Sequence, residues 1–320
     1  LATLLADSSK NISGFENLVG TETNDTLTGD ANANVLIGGL GADTLSGAAG
    51  DDTIYDDLNA TVSSENLYAG GNTDIYGQYI SSTTDSTAGN DTLNGNDGND
   101  TLIASTGDDT LDGGDGADTL TGGAGIDTFV IRSGDGGSAQ SDSDTVSDFT
   151  DGTDSIGLDT ITYGALTIAQ VGSDTVIKEG SNFLTTLTGI SASAITAADF
   201  QSTSTSAVTY TGTSGNDTMV GGAGGDTFNG GAGSDILLGW GGNDTFNIRS
   251  KSGTYVDAIT GGAGTDSLNI AYSGISSLKD FVLSSSGSDI TATDSSGGSV
   301  TFNGIEALTV NSISYAFAPS

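Results

Sequence analysis

Residues 113–130 read GGDGADTLT GGAGIDTFV, two consecutive copies of the nine-residue pattern G-G-x-G-x-D-x-U-x, in which U is a large apolar residue. The pattern recurs in three unbroken runs, 20–55, 86–130 and 212–247, and once more at 261–269. A single nonapeptide match arises easily by chance, whereas thirteen units in three constant registers do not. The repeat therefore governs the interpretation of the whole chain.

Each unit combines a glycine-rich turn with a very short apolar segment. The x-U-x half is too short for a helix, and its Thr and apolar residues favour a strand. The G-G-x-G-x-D half predicts a turn, because glycine reaches positive φ and lets another backbone approach closely. Two units complete one coil, so the turns line two edges, and repeats i and i+2 stack. The predicted fold class is all-β: a right-handed parallel β-roll, a solenoid, with β-rich caps.

The eighth position of the unit predicts the core of the roll, because its side chain points inward from the short strand. The residues at this position are Leu27, Leu36, Leu45, Ile54, Leu93, Leu102, Leu111, Leu120, Phe129, Met219, Phe228, Leu237 and Phe246.

The sixth position supplies a carboxylate in every unit except one, where Asn34 replaces it. Two stacked turns offer carboxylates and backbone carbonyls, an all-oxygen set at ~2.3–2.6 Å that suits calcium and disfavours zinc and copper. Since each site needs two stacked turns, the chain should bind about seven to about a dozen calcium ions. The predicted ligands are Asp25, Asp43, Asp52, Asp91, Asp100, Asp109, Asp118, Asp127, Asp217, Asp226, Asp235, Asp244 and Asp266.

The charge balance supports bound cations. The chain has 42 acidic and six basic residues and a net charge of −36, so stacked carboxylates repel one another unless cations lie between them. The same charge excludes binding to nucleic acid or anionic lipid. No apolar run reaches transmembrane length, so membrane insertion is not expected.

Two residue types that carry much of enzyme chemistry are missing. The chain has neither Cys nor His, which removes disulfides, thiolate nucleophiles and the commonest general base. We expect that the protein is not an enzyme. The chain begins at Leu1 without a signal-peptide pattern, so we expect a fragment or a processed piece of a longer protein.

The distribution of repeats predicts two modules. The first covers 1–206, with repeats 20–55 and 86–130, an insertion at 56–85 and a β-rich cap at 131–206. The second covers 207–320, with repeats 212–247 and 261–269 and a β-rich cap at 270–320. We expect one continuous roll across the insertion, which is either a functional loop or a loop packed on the roll. Asp109, inside the repeats, should matter far more to folding than Asp85, inside the insertion.

The repeat resembles that of the RTX, or hemolysin-type calcium-binding, family. The segment SDFTDGTDSIGLDTI at 147–161 is also similar to the β-rich caps that follow such rolls. The resemblance implies export by type I secretion and folding in extracellular calcium. Relatives in this family attach such rolls to toxins, proteases, lipases, adhesins and surface-layer proteins.

Two functional interpretations remain. The first is a calcium-dependent folding and structural or adhesive element of a secreted bacterial cell-surface protein, such as an S-layer protein or adhesin. It would be extracellular, with calcium as ligand and with self-assembly or a cell-surface glycan or protein as partner. The alternative is the C-terminal RTX secretion and folding module of a type I exported enzyme or toxin. An experiment that shows calcium-dependent assembly of the isolated chain would favour the first.

Overall fold

The computed structural model describes residues 12–13, 17–20, 23–56, 89–249, 251 and 254–316. It forms two compact units. The first contains the described residues up to Ile156 together with Thr167–Ile195, and the second contains Gly157–Leu166 and the described residues from Thr196 onward. Residues 57–88, which hold most of the predicted insertion including Asp85, lie outside the described part. No helix among the described residues is long and apolar enough to cross a membrane.

The first unit is built from short strands that alternate between two sheets. Its repeat strands pair in parallel, the odd-numbered ones in one sheet and the even-numbered ones in the other. Strands β1 to β16 are β1 (Ile12–Ser13), β2 (Asn17–Val19), β3 (Thr26–Thr28), β4 (Val35–Ile37), β5 (Thr44–Ala49), β6 (Thr53–Tyr55), β7 (Thr92–Asp97), β8 (Thr101–Ile103), β9 (Thr110–Asp115), β10 (Thr119–Thr121), β11 (Thr128–Arg132), β12 (Asp144–Val146), β13 (Ser155–Asp159), β14 (Leu166–Val171), β15 (Asp174–Glu179) and β16 (Asn182–Leu187).

The roll of the first unit continues across the insertion. Within a run, paired residues are 18 apart in sequence, as Leu27 and Leu45 are. Strand β5 pairs with β7 so that Leu45 lies opposite Leu93, and β6 pairs with β8 so that Ile54 lies opposite Leu102. Runs 20–55 and 86–130 therefore form one continuous parallel roll, as predicted.

The second unit repeats this arrangement. Parallel strands again alternate between two sheets, in the orders β18-β20-β22-β24-β28-β29 and β19-β21-β23-β27-β26-β25. The later strands are β17 (Phe200–Ser202), β18 (Thr209–Thr211), β19 (Thr218–Val220), β20 (Thr227–Asn229), β21 (Ile236–Leu238), β22 (Thr245–Arg249), β23 (Val256–Thr260), β24 (Ser267–Ala271), β25 (Phe281–Ser286), β26 (Asp289–Asp294), β27 (Ser299–Asn303), β28 (Ala307–Val310) and β29 (Ile313–Ala316).

Antiparallel strands follow the repeats in each unit, which agrees with the predicted β-rich caps. In the first unit β15 pairs antiparallel with β16, and in the second β26 pairs antiparallel with β25 and β27, and β28 with β29. The helical elements in the described residues are single 3-10 turns at Gln140–Asp142, Tyr163–Ala165, Ala197–Asp199 and Leu278–Asp280.

The core is a column of stacked apolar side chains inside each roll. Every residue predicted at the eighth position is buried, including Leu102 and Leu111, each 0% exposed. In the second unit the rings of Tyr210, Phe228 and Phe246 stack with successive centroids 4.9 Å apart. Because parallel pairing places the eighth position of each coil above that of the previous coil on the same sheet, the column buries apolar surface continuously along the roll.

Candidate metal sites

The predicted Asp ligands lie where the turns stack at the two edges of each roll. In the first unit, the turns that end at Asp25, Asp43, Asp91, Asp109 and Asp127 form the first edge, and those that end at Asn34, Asp52, Asp100 and Asp118 form the second. Twelve of the thirteen predicted Asp are buried, and Asp217 is partly exposed. Carboxylates on a surface turn normally face water, so this burial needs an explanation.

In most of these turns one oxygen of the carboxylate joins consecutive coils. The backbone N–H of Asp91 donates to Oδ1 of Asp109 at 2.8 Å, and the N–H of Asp109 donates to Oδ1 of Asp127 at 3.0 Å. On the second edge the N–H of Asp100 donates to Oδ1 of Asp118 at 2.8 Å. We call each such series a carboxylate ladder; it uses one oxygen per carboxylate and leaves the other.

The second oxygen is buried without a hydrogen bond in much of the described structure. This holds for Oδ2 of Asp52, Asp100, Asp109, Asp118, Asp244 and Asp266. A buried carboxylate oxygen without a partner is costly. A bound cation removes that cost, so these orphan oxygens match the chemistry expected of a metal site.

Glycine at the first and fourth positions of the turn makes room for these oxygens. A Cβ atom built on Gly95, at the first position, would lie 2.2 Å from Oδ2 of Asp100. A Cβ built on Gly107, at the fourth position with φ +140°, would lie 1.9 Å from the carbonyl oxygen of Gly89, one coil earlier. A Cβ atom at either glycine would collide with these oxygens, so the two glycines let carboxylate and carbonyl oxygens of stacked turns form an oxygen-only cradle.

Burial makes the carboxylates hard to ionise without a cation. Burial raises the pKa of Asp100, Asp109 and Asp244 to about 7; the backbone hydrogen bond to each carboxylate opposes this rise, and neighbouring carboxylates add to it. The pKa values of Asp91 and Asp127 rise to about 6, again mainly through burial. A cation between the turns favours the ionised form and reverses these shifts.

Asp56 adds a third carboxylate at one place on the first edge. Candidate ligand oxygens of Asp56, Asp91 and Asp109 lie within 4.8 Å of one another, and all three residues are buried. The neighbouring coils hold Asp56 in place: its carbonyl accepts from the N–H of Gly39 at 2.7 Å and its Oδ2 from the N–H of Ser105 at 2.8 Å. The repeat pattern does not predict Asp56, because this residue is the first of the insertion and stands where the next unit would have glycine.

The ladders also extend beyond the nonapeptides. Oxygens of Asp144, Asp154, Asp257 and Glu306 accept the N–H of Asp118, Asp127, Asp235 and Asp266 at 2.7–3.1 Å. The nonapeptide pattern does not predict these residues, because no glycine-rich turn precedes them. A usable signal existed: each is an acidic residue two positions before a buried apolar one, as in DTV at 144–146.

A family model for the RTX calcium-binding nonapeptide repeat (4 copies) matches residues 13–55, 85–105, 94–129 and 211–246. The chain carries RTX calcium-binding repeats. The RTX matches cover the three runs of stacked turns on which the ladders are built, which agrees with the resemblance drawn from the sequence. The protein is thus a calcium-binding β-roll repeat protein.

Two solved structures are similar to this RTX chain in part. The AlgE6R3 subunit of the Azotobacter vinelandii mannuronan C5-epimerase shares 20% identity, with 56% of this chain and 78% of that chain covered and a TM-score of 0.17. The extracellular lipase LipA from Serratia marcescens shares 14% identity, with 88% and 38% covered and a TM-score of 0.16. At these TM-scores, neither activity informs that of this chain. A search of curated proteins found no match.

Proposed function

We propose that this chain is a calcium-stabilised structural or adhesive element of a secreted bacterial surface protein, and that its role is structural rather than catalytic. Calcium ions lie between stacked turns at both edges of each roll. The proposed ligands are the thirteen sixth-position Asp residues, with backbone carbonyls of the glycine-rich turns. The expected number is about seven to about a dozen ions per chain, since each site needs two stacked turns.

The observation that carries the proposal is the set of orphan oxygens. Oδ2 of Asp100, Asp109 and Asp118 is buried and accepts no hydrogen bond from any residue that the structure describes. Oδ2 of Asp100 and Oδ2 of Asp118 each lie against a glycine, since a Cβ atom built on Gly95 or on Gly113 would lie 2.2 Å from the respective oxygen. A fold that buries a row of charged oxygens next to carbonyls is stable only if cations neutralise the row.

Charge turns this site chemistry into a folding switch. At a net charge of −36 the chain repels itself when calcium is scarce. Extracellular calcium modules bind at ~10⁻⁴–10⁻³ M, so the chain stays unfolded inside the cell and folds after export. A dozen divalent ions would offset roughly two-thirds of the net charge. Type I secretion, which exports unfolded chains, fits this switch.

The extended rolls suit a rigid spacer or a lattice element. Parallel stacking of identical coils gives stiffness along the roll and leaves its side surfaces free for neighbouring copies or for a surface glycan or protein. The proposed location is therefore the bacterial cell surface, and the proposed partners are a second copy of the chain or a surface ligand.

The test combines circular dichroism, calcium counting and measurement of assembly. In excess chelator at neutral pH and low salt we expect little β-structure, and on adding millimolar calcium a cooperative gain with at least about seven ions bound per chain. Light scattering should show larger assemblies only with calcium. Full β-structure in chelator, or fewer than about four ions per chain, contradicts the calcium sites. A folded chain that stays monomeric contradicts self-assembly alone.

A further inference from the structure

One edge of the second unit carries a buried lysine among its stacked turns. The side chain of Lys251 is 0% exposed. Its ammonium donates to the carbonyl of Gly233 at 2.9 Å, to Oδ2 of Asp235 at 2.7 Å and to Oδ1 of Asp257 at 2.9 Å. Gly233 and Asp235 are the fourth and sixth residues of the repeat at 230–238. The ammonium therefore lies among the same atom types that form the oxygen cradles.

The backbone around Lys251 keeps the geometry of the other turns. The N–H of Asp235 donates to Oδ1 of Asp257 at 2.9 Å, just as the N–H of Asp100 donates to Oδ1 of Asp118 at 2.8 Å. The ladder is thus unchanged, and the difference lies in what meets the second carboxylate oxygen. Oδ2 of Asp118 accepts no hydrogen bond from the described residues, whereas Oδ2 of Asp235 accepts from an ammonium.

The equivalent place in the first unit has no lysine. The sequences VIRSGDG at 130–136 and NIRSKSG at 247–253 align so that Gly134 stands where Lys251 stands. There, Oδ2 of both Asp118 and Asp144 is buried with no hydrogen bond from any described part of the chain. The two corresponding turn pairs therefore differ in how their negative charge is balanced. The pair of Asp118 and Asp144 has room for a bound cation, whereas the pair of Asp235 and Asp257 contacts the ammonium of Lys251.

We propose that the Lys251 ammonium occupies a calcium position of the roll, so that the chain itself supplies the cation between Asp235 and Asp257 and this turn pair binds no calcium. This inference rests on the proposed calcium sites. An ammonium has three N–H donors, and all three are satisfied here by the carbonyl and the two carboxylates. These bonds satisfy the ammonium and Oδ2 of Asp235, whereas Oδ2 of Asp257 is buried and accepts no hydrogen bond from the described residues. The ammonium thus offsets one of the two negative charges, and its three bonds stabilise the buried ion pair. The second unit thereby keeps one cross-link that does not depend on calcium.

The experiment replaces Lys251 either by a residue that leaves the position empty or by an uncharged residue that fills it. Lys251→Gly copies Gly134 of the first unit and frees the space, so we expect one more calcium ion per chain than wild type, counted by elemental analysis after dialysis. Lys251→Met fills the space without charge, so it should gain no ion and should lose stability in calcium. Lys279→Gly removes an exposed lysine and controls for net charge; its ion count should equal that of wild type.

Each outcome bears on the inference. A folded Lys251→Gly chain with the wild-type ion count overturns it. If Lys251→Gly does not fold, Asp257→Asn in the wild-type background decides: an unchanged ion count supports the proposal, and the loss of one ion overturns it. If wild type itself binds no calcium, the proposed function fails first, so the two failures are distinguishable.

Discussion

Replacing Asp109 by Ala tests the candidate sites at the place where the structure concentrates them. Asp109 lies in the middle of the first edge, with Asp91 one coil before it and Asp127 one coil after it. Its Oδ1 accepts the N–H of Asp91, its Oδ2 is an orphan among the described atoms, and it belongs to the three-carboxylate cluster with Asp56. Truncation therefore removes a ladder bond and a proposed calcium ligand together.

The expected loss follows from these two contributions. The N–H of Asp91 stays buried without its acceptor, which costs about 1–3 kcal/mol. Losing one calcium ion whose dissociation constant is about 100-fold below the calcium concentration of the assay costs about 2.7 kcal/mol. The free energy of unfolding in calcium should therefore fall by about 4–6 kcal/mol. In calcium-free buffer the effect should be smaller, because the variant also removes a charge that its neighbours repel.

The assay is urea unfolding at saturating calcium, together with the calcium midpoint of folding, followed by circular dichroism. Asp115→Ala is the matched control, since Asp115 is exposed in the same run and carries the same charge. We expect the control to stay within about 0.5 kcal/mol of wild type. Equal calcium midpoints for the two variants would refute the assignment of Asp109 to a site. Asp85, in the insertion, lies outside the described residues. The sequence alone predicts that Asp85→Ala affects folding far less than Asp109→Ala.

Two further predictions test protonation and packing. In the folded chain the pKa of Asp100 and Asp109 lies at about 7, against 3.8 for an ordinary Asp. The folded state therefore binds more protons than the unfolded state, and the calcium-free fold should lose stability as pH rises from about 4 to about 7. Equal β-structure at about pH 5 and about pH 8 in calcium-depleted buffer would contradict these pKa shifts. Gly107→Ala should lower the free energy of unfolding by more than about 4 kcal/mol, because the new Cβ would lie 1.9 Å from the carbonyl oxygen of Gly89. Gly164→Ala is the control: the nearest atom to its Cβ is 3.9 Å away, so this variant should fold normally in the same urea assay. Similar stability of the two variants would contradict the close stacking of the turns.

Much of the candidate site was predictable from the repeat. The nine-residue period assigned Leu102 to the core and Asp109 to a stacked turn, because parallel coils place equal positions above one another. The structure confirms the parallel all-β roll and buries both residues. Asp144 and Glu306 were not predicted as members of the ladders, because the turns before them lack the glycine pattern. Only the pairing of their strands with the roll brings them there.

Sequence alone therefore determined what is periodic: the strand and turn of each unit, the apolar column, the rows of carboxylates and the need for an oxygen-binding cation. These features depend on local spacing, and a repeat applies the same spacing to every coil. Tertiary structure decided what interrupts the period, such as Asp56 joining Asp91 and Lys251 lying between Asp235 and Asp257. Those contacts depend on where an irregular segment returns to the roll, and because no repeat sets the path of such a segment, only the folded backbone shows which charges meet.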